Sequence, residues 1–433
     1  MPTISLKPTA VLIIRQGETI SDPLTILCDL LNPLNDGLKI RAAVSGLEAS
    51  EWGALQRHIE TRSLANSLYA RLNQEELLPC LPAELREFLR ENYRVNAARN
   101  LILLNRAAQV LAALKNQRIQ VIGLKGLYLL ENVYQDIGAR AMNDLDILVH
   151  REDIPRALET LQNLSYQVST FFDSSAPNRD VKHVPPLNLA DGTIIEVHWT
   201  LLEEEEPFNI AVDSIWQRAR PAYFAESEAY ALSDEDLLLH LCIHAAYQLY
   251  LKLGLRSMLD IALVLKQASD QIDWQQLIQT AREWGARKCV GLCFGLLQEM
   301  GWARLPEGLM ADLLPEGLDA DIINQAKVVL LRDESETDAI TPDLSALTST
   351  RNLVRKTRVV LDRIFIPKTA IARLYGINPG SPGIIFGYFR RAVDLYRQYG
   401  GTIRKASNLD KAVLQELELN KIRTHLHHWL TNA

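Results

Sequence analysis

Apolar residues recur at helical spacing over the first part of the chain. Pro82 and the residues after it have the composition of a helix start. From Leu85 to Leu114 the apolar positions fall three or four residues apart, which predicts one long helix or two helices in sequence. We therefore expect residues 1–114 to form a mostly helical N-terminal region.

The pattern changes after this helix. The run Ile119–Leu124 is apolar and rich in β-branched residues, which predicts a buried strand. The apolar residues after Gly126 return to helical spacing, so the pair Lys125-Gly126 is expected at a strand-to-helix turn. Asp144–Val149 is a second predicted strand, and a helix is expected from about residue 154 to residue 164.

Two further strands complete this middle region. Val184–Leu189 and Thr193–Thr200 flank Asp191-Gly192, a pair that is typical of a tight hairpin turn. Strands that alternate with helices indicate an α/β unit. We assign residues 115–225 to this unit and expect it to contain a small mixed sheet.

The last region returns to helices. From Asp234 onward no strand pattern is found, and helices are predicted at Leu237–Gln267, Trp274–Trp284 and Ala286–Met300. Residues 226–433 are therefore expected to form a helical C-terminal region. The predicted fold class is α+β, with an α/β-type core flanked by N- and C-terminal helical domains.

The composition is that of an ordinary globular protein. Hydrophobic residues make up 48% of the 433 residues, and charged residues make up 23%. No stretch approaches the roughly 18 uninterrupted apolar residues that a transmembrane helix needs. The five cysteines are scattered, which argues against a disulfide framework. We expect a cytoplasmic protein without a transmembrane segment.

Charge is distributed unevenly along the chain. The formal net charge is −7, but the segment 351–405 holds twelve Lys and Arg against two Asp. This segment therefore has a net charge of +10, which leaves −17 for the rest of the chain. Such a segment favours a polyanionic partner: RNA, another phosphorylated acceptor or an acidic membrane surface. The alternative is a solvated basic face that pairs with the acidic remainder.

Two aspartates at alternate positions of a predicted strand are the first candidates for chemistry. Asp144 and Asp146 should point to the same face of that strand. Their charges repel unless a cation lies between them, and Mg²⁺ prefers carboxylate and phosphate oxygens. Glu196 would complete a set of three carboxylates if its strand is a neighbour, and His198 would share its face. Acidic residues at a strand end can also serve solubility alone.

Several basic residues have two possible roles. Lys125 could bind a triphosphate, or its side chain could simply be solvated at the end of the strand. Arg140 could contact a phosphate or brace a carboxylate, and His198 could orient an acceptor or be a hydrogen-bonded core histidine. His240 and His244 lie one helical turn apart, but the Glu of a His-Glu-x-x-His motif is missing, which argues against zinc. His244 could instead face the active cleft.

As a set, these motifs resemble the uncharacterised nucleotidyltransferase family of the DNA polymerase beta superfamily. The resemblance covers roughly residues 50 to 270. It is carried by Asn96–Leu114, Leu124-Lys125-Gly126, Arg140, Asp144–Val149, Glu196-Val197-His198-Trp199, His244, Leu255-Arg256 and Asp260-Ile261.

The resemblance implies transfer of a nucleoside monophosphate from a nucleoside triphosphate (NTP) to an acceptor, with release of pyrophosphate. It implies that Asp144, Asp146 and Glu196 are catalytic residues that bind Mg²⁺ or Mn²⁺. The implied nucleotide-binding residues are Lys125, Gly126, Arg140 and His198. The acceptor stays open between a protein side chain, an RNA end and a small molecule.

One departure from the superfamily pattern leaves other functions open. Better-known members carry Gly-Ser after the first strand, where this chain has Lys125-Gly126. The chain could therefore be a catalytically inactive nucleotide-binding or scaffold protein. It could also be an interaction protein that binds a polyanion such as RNA through the basic segment 351–405.

Overall fold

The computed structural model describes residues 22–168, 182–203, 205–332, 368–375, 377, 380–394 and 411–432. Most of the basic segment 351–405 therefore lies outside the described residues. The predicted α+β class is confirmed, because a mixed seven-stranded sheet lies between helices that precede and follow it along the chain. Among the described helices, none combines the length and the apolar character that a bilayer crossing needs.

Five described α-helices precede the sheet, and the last of them is the longest. They are α1 (Pro23–Leu31), α2 (Gly37–Val44), α3 (Ala49–Thr61), α4 (Ala65–Gln74) and α5 (Ala83–Asn116). Helix α5 is continuous, so the first of the two predicted alternatives, one long helix, is the correct one. Its buried residues Leu103, Val110 and Leu114 recur at helical spacing, because only one side of the helix covers the sheet.

The sheet is mixed and has its carboxylate strand near the centre. Its strands are β1 (Ile122–Gly123), β2 (Leu145–Leu148), β3 (Gln167–Val168), β4 (Leu187–Asn188), β5 (Ile194–His198), β6 (Arg220–Phe224) and β7 (Ser227–Ala231). Their spatial order is β3-β4-β5-β2-β1-β7-β6. The pairs β2–β5 and β1–β7 are parallel, and the other neighbours are antiparallel.

Local turn chemistry explains one of the two hairpins in this sheet. The predicted hairpin around Asp191-Gly192 is β4 with β5, and Gly192 has the left-handed φ of +85° that such a turn requires. The sequence pattern does not predict the second hairpin, β6–β7. Each of its strands has a single buried residue, Phe224 or Ala231, so apolar and polar residues do not alternate along either strand. Because β7 belongs to the sheet, the sheet continues past residue 225.

The two faces of the sheet pack against different helices. Ile147 of β2 and Val197 of β5 lie in a core with α5 and with α7 (Ile154–Asn163). Leu148, on the opposite face, belongs to a larger core built by helices from both sides of the sheet in sequence. Because side chains alternate along a strand, even-numbered residues of β2 and β5 face this helical layer.

Besides α7, the described residues after β1 form eleven further α-helices. They are α6 (Lys125–Tyr128), α8 (Val212–Arg218), α9 (Asp234–Ile243), α10 (Leu255–Gln267), α11 (Trp274–Glu283), α12 (Arg287–Glu299), α13 (Leu309–Leu313), α14 (Ala320–Leu330), α15 (Lys368–Tyr375), α16 (residues 384–394) and α17 (Lys411–Thr431). Leu30 of α1 and Leu296 of α12 belong to one continuous core. The Asn32 side chain also donates to the Gly301 carbonyl at 3.1 Å. Packing thus joins the first and last regions, while the three-domain division stays a prediction.

The segment predicted as one helix from Leu237 to Gln267 is divided in the structure. Helix α9 is followed by a π-helical turn, His244–Gln248, and α10 begins only at residue 255. Between them Tyr250 and Leu251 have φ values of +50° and +57°. L-residues in this left-handed region do not continue an α-helix. The apolar spacing runs on through the break, so periodicity does not reveal it.

A glycine in β1 tests the packing of the sheet. A Cβ at Gly123 would lie 2.7 Å from two ring atoms of Phe224, which is fully buried. We expect Gly123→Ala to lower the free energy of unfolding by about 1–3 kcal/mol, because the ring must shift within a closed core. Urea denaturation of the variant and the wild type measures this difference.

The same substitution at Gly53 of α3 is the control. There the nearest atom to an added Cβ is Arg57 Nη1 at 3.8 Å, so the alanine fits. Its higher helix propensity should raise the free energy of unfolding by about 0.5–1 kcal/mol. A Gly123→Ala variant as stable as the wild type would contradict the packing described for Phe224.

Candidate active site

Asp146 and Glu196 lie side by side on neighbouring strands. Strands β2 and β5 are parallel, and their register pairs Asp146 with Glu196 and Leu148 with His198. One ligand atom from each of Asp146, Glu196 and His198 lies within 4.8 Å of the other two. The neighbouring strands that a carboxylate site requires are therefore present, and His198 is part of the cluster.

His198 holds Asp146 in place. Its Nε2 lies 2.9 Å from Asp146 Oδ1 and 3.5 Å from Glu196 Oε2. An ionised carboxylate can only accept, so the imidazole donates in the shorter contact. His198 is almost completely buried, and its Nδ1 has no hydrogen-bond partner within the described part of the chain. His183 Nε2 lies 3.8 Å from Glu196 Oε2 on the other side.

Asp146 is buried and is compensated by positive charge. Burial alone would raise the pKa of Asp146, but the charge of Lys125 and the hydrogen bond with His198 hold that pKa well below its usual range. Lys125 Nζ lies 3.6 Å from Asp146 Oδ2. Asp146 is therefore a carboxylate that stays ionised despite its burial.

Asp144 lies one residue before β2 and is half-buried. Burial first, and then the negative charges of Asp146 and Glu196, raise the pKa of Asp144 to about 6. Asp144 does not belong to the compact group formed by Asp146, Glu196 and His198. Its charge is nonetheless close enough to interact with both carboxylates, and a cation nearby would relieve this repulsion.

The turn after β1 carries Lys125 to this cluster. The backbone N–H of Leu124 donates to the Asp146 carbonyl at 3.0 Å, which fixes the end of β1 against β2. Lys125 has a φ of +34°, and positive φ is uncommon outside glycine. Such backbone strain persists only where the surrounding structure enforces it, and it concentrates at functional sites.

Gly126 and Arg140 are packed against each other. A Cβ at Gly126 would lie 3.1 Å from Arg140 Nη1 and from Met142 Cγ, so close packing is one reason for the glycine. Arg140 binds Asp260 of α10 through two nitrogens, Nε at 2.9 Å and Nη2 at 3.0 Å. The structure thus gives Arg140 the carboxylate-bracing contact. Nucleotide contacts of Gly126 and Arg140 stay a prediction.

Asparagines on α5 fix the loop that leads into β2. Asn100 Nδ2 donates to the carbonyls of Ile137 at 2.6 Å and of Arg140 at 2.7 Å. Asn96 Nδ2 donates to the carbonyl of Gly138 at 2.8 Å. These amides satisfy partly buried backbone groups that have no partner in a regular element. The two asparagines therefore tie the loop before β2 to α5.

Three further basic side chains interact electrostatically with the cluster. Burial, followed by the charge of Lys125, lowers the pKa of Lys182, His240 and His244. The pKa of His244 falls to about 4. The charge of Asp146 opposes each of these shifts, so these side chains lie within electrostatic reach of the carboxylates. The spacing of His240 and His244, one helical turn apart, marks them as candidate site residues in the sequence. Lys182 has no sequence signal, because a lysine before a hairpin is commonplace.

Comparison with known proteins gives one finding. A family model described as "uncharacterised nucleotidyltransferase" matches residues 48–301, more than half of the 433-residue chain. No curated protein matches the chain. The matched range includes α5, the whole sheet and the carboxylate cluster. The chain therefore belongs to this uncharacterised nucleotidyltransferase family.

Proposed function

We propose that the protein is a metal-dependent nucleotidyltransferase that moves a nucleoside monophosphate from an NTP to an acceptor and releases pyrophosphate. Membership of a nucleotidyltransferase family supports nucleotidyl transfer in general. The observation that carries the proposal is the in-register pairing of Asp146 with Glu196 on parallel strands. The acceptor class is a protein side chain, an RNA end or a small molecule.

The side chains present fit a hard divalent cation, Mg²⁺ or Mn²⁺. Asp146 and Glu196 offer carboxylate oxygens within one compact group, and burial, followed by the negative charges of these two carboxylates, raises the pKa of Asp144 to about 6. Asp144, Asp146 and Glu196 would hold the cation. When bound, it would neutralise charge on the phosphates and activate the attacking group.

The protein's own residues would orient the carboxylates and the nucleotide. The hydrogen bond from His198 would keep Asp146 Oδ1 in one orientation, as second-layer partners do at metal sites. Lys125, beside the same carboxylate, would bind triphosphate oxygens, and Gly126 would let them approach the backbone of the turn. Arg140 would reach the nucleotide through Nη1, which Asp260 does not bind and which donates to the Ala141 carbonyl at 3.3 Å.

Nucleotide binding without turnover is the second candidate function. One observation favours it: the Lys125 ammonium lies 3.6 Å from Asp146 Oδ2 and so balances charge where a cation would otherwise do so. Lys125-Gly126 also stands where better-known superfamily members have Gly-Ser. The two functions differ in whether pyrophosphate is released.

Loss of the carboxylates tests turnover. We expect Asp144→Asn/Asp146→Asn to reduce pyrophosphate release on the order of a thousandfold, because transition-state charge is no longer stabilised. Wild type and variant are each added to a cell extract, which supplies the acceptor, with each NTP in turn and with Mg²⁺ or Mn²⁺. Asp312→Asn, at an exposed residue of α13, is the control for charge removal. Equal release by the wild type and the double variant would reject catalytic roles for both aspartates.

Metal binding is tested separately by thermal denaturation. Mg²⁺ or Mn²⁺ at a hundred times its dissociation constant should raise the free energy of unfolding of the wild type by about 2.7 kcal/mol. Asp146→Asn should remove most of this gain, whereas Asp312→Asn should retain it. A wild-type melting temperature that neither cation changes would contradict the proposed metal site, whatever the activity shows.

Lys125→Ala separates the two roles of this lysine. As a triphosphate ligand, Lys125 contributes a charge-assisted contact of about 1.5–3 kcal/mol, so its loss should raise the KM for NTP on the order of tenfold to a hundredfold. The affinity for Mn²⁺ should then change little. Unchanged KM together with tighter Mn²⁺ binding would instead identify Lys125 as a substitute for the cation. Lys115→Ala, at an exposed lysine of α5, is the control.

A further inference from the structure

Helices α15 and α16 pack against each other around a small core of their own. This core contains Ile371 and Ala372 of α15 and Ile384 of α16, and it is separate from the two larger cores. A Cβ at Gly387 would lie 2.5 Å from Ile371 Cγ2, so the helices approach closely at this glycine. One side of α16 is thereby held against α15.

The other side of α16 exposes large apolar side chains to solvent. Ile385, Phe386 and Phe389 are 73%, 64% and 66% exposed. They stand at positions i, i+1 and i+4, which form one stripe about 100° wide along a helix. The two phenylalanine rings lie 6.5 Å apart. These three residues form the apolar face of α16, and a clustered exposed apolar surface marks a site of interaction.

A basic residue borders this face. Arg390 follows Phe389 directly and is exposed, and its guanidinium lies 5.3 Å from the Tyr375 ring of α15. The sequence from 351 to 405 has a net charge of +10. A helix with an apolar stripe and a flanking arginine matches a surface that is anionic at its boundary and apolar immediately beneath.

We propose that α16 docks the protein onto an anionic lipid membrane surface. The apolar face would enter the boundary between headgroups and acyl chains, and Arg390 would bind headgroup phosphates. RNA offers the same negative charge, but its exposed bases favour stacking on aromatic rings and give no use for the aliphatic Ile385. An apolar layer accommodates all three side chains, which is why the membrane is preferred.

Sedimentation of the full-length protein with lipid vesicles tests this docking. The vesicles contain phosphatidylcholine alone or phosphatidylcholine mixed with phosphatidylglycerol. We expect the wild type to bind the anionic vesicles, and the binding to weaken as salt is raised. Phe386→Ser/Phe389→Ser should weaken that binding at least about tenfold, because two large apolar side chains no longer leave water.

The matched control is Leu101→Ser/Ile102→Ser on α5, where the side chains are 61% and 54% exposed. This variant should bind anionic vesicles like the wild type, and the melting temperatures of both variants check their folding. Absence of wild-type binding, or equal binding to neutral vesicles, would overturn the proposal without reference to any variant. So would binding that both double variants retain fully.

Two further measurements distinguish other occupants of the apolar face. Wild-type binding to single-stranded RNA that Phe386→Ser/Phe389→Ser abolishes, without vesicle binding, would assign the face to nucleic acid. Self-association that the same variant abolishes, again without vesicle binding, would assign the face to a second copy of the chain. Either result would overturn membrane docking. None of these measurements depends on nucleotidyl transfer.

Discussion

Negative charge crowded onto one half-buried face of the sheet is the constraint around which the site is arranged. The register of β2 and β5 places Asp146 beside Glu196, and Asp144 is near enough for burial and repulsion to raise its pKa to about 6. Lys125 and His198 compensate Asp146. The remaining repulsion is what a bound divalent cation would balance, so the arrangement is unfavourable without positive partners.

A second set of contacts keeps these carboxylates where they are. Side-chain amides of Asn96 and Asn100 hold the carbonyls of the loop before β2, so the entry to the strand is fixed to α5. Arg140, at the end of that loop, forms a two-point ion pair with Asp260 of α10, to which the Tyr134 hydroxyl also donates at 2.8 Å. Loss of one partner would leave a buried charge, so this geometry is strongly specified.

The helical layer and the proposed docking helix have separate cores. Helices before and after the sheet share one continuous core, which covers the face that carries the carboxylates. Helices α15 and α16 have their own small core, centred on Ile371 and Ile384. Chemistry and surface attachment are thus proposed for elements whose described residues belong to separate cores, so substitutions in one need not disturb the other.

The sequence by itself determined the features that local physics decides. Helical periodicity located α5, turn chemistry at Asp191-Gly192 located the β4–β5 hairpin, and strand alternation predicted that the two aspartates share one face. Only the tertiary structure decided that β5 lies parallel to β2 in a register that pairs Asp146 with Glu196. It also decided the hairpin β6–β7, the break between α9 and α10, and the partner of Arg140, which lies 120 residues away. The physical reason is that contacts between distant segments follow from the packing of whole elements, and no local pattern of residues encodes them.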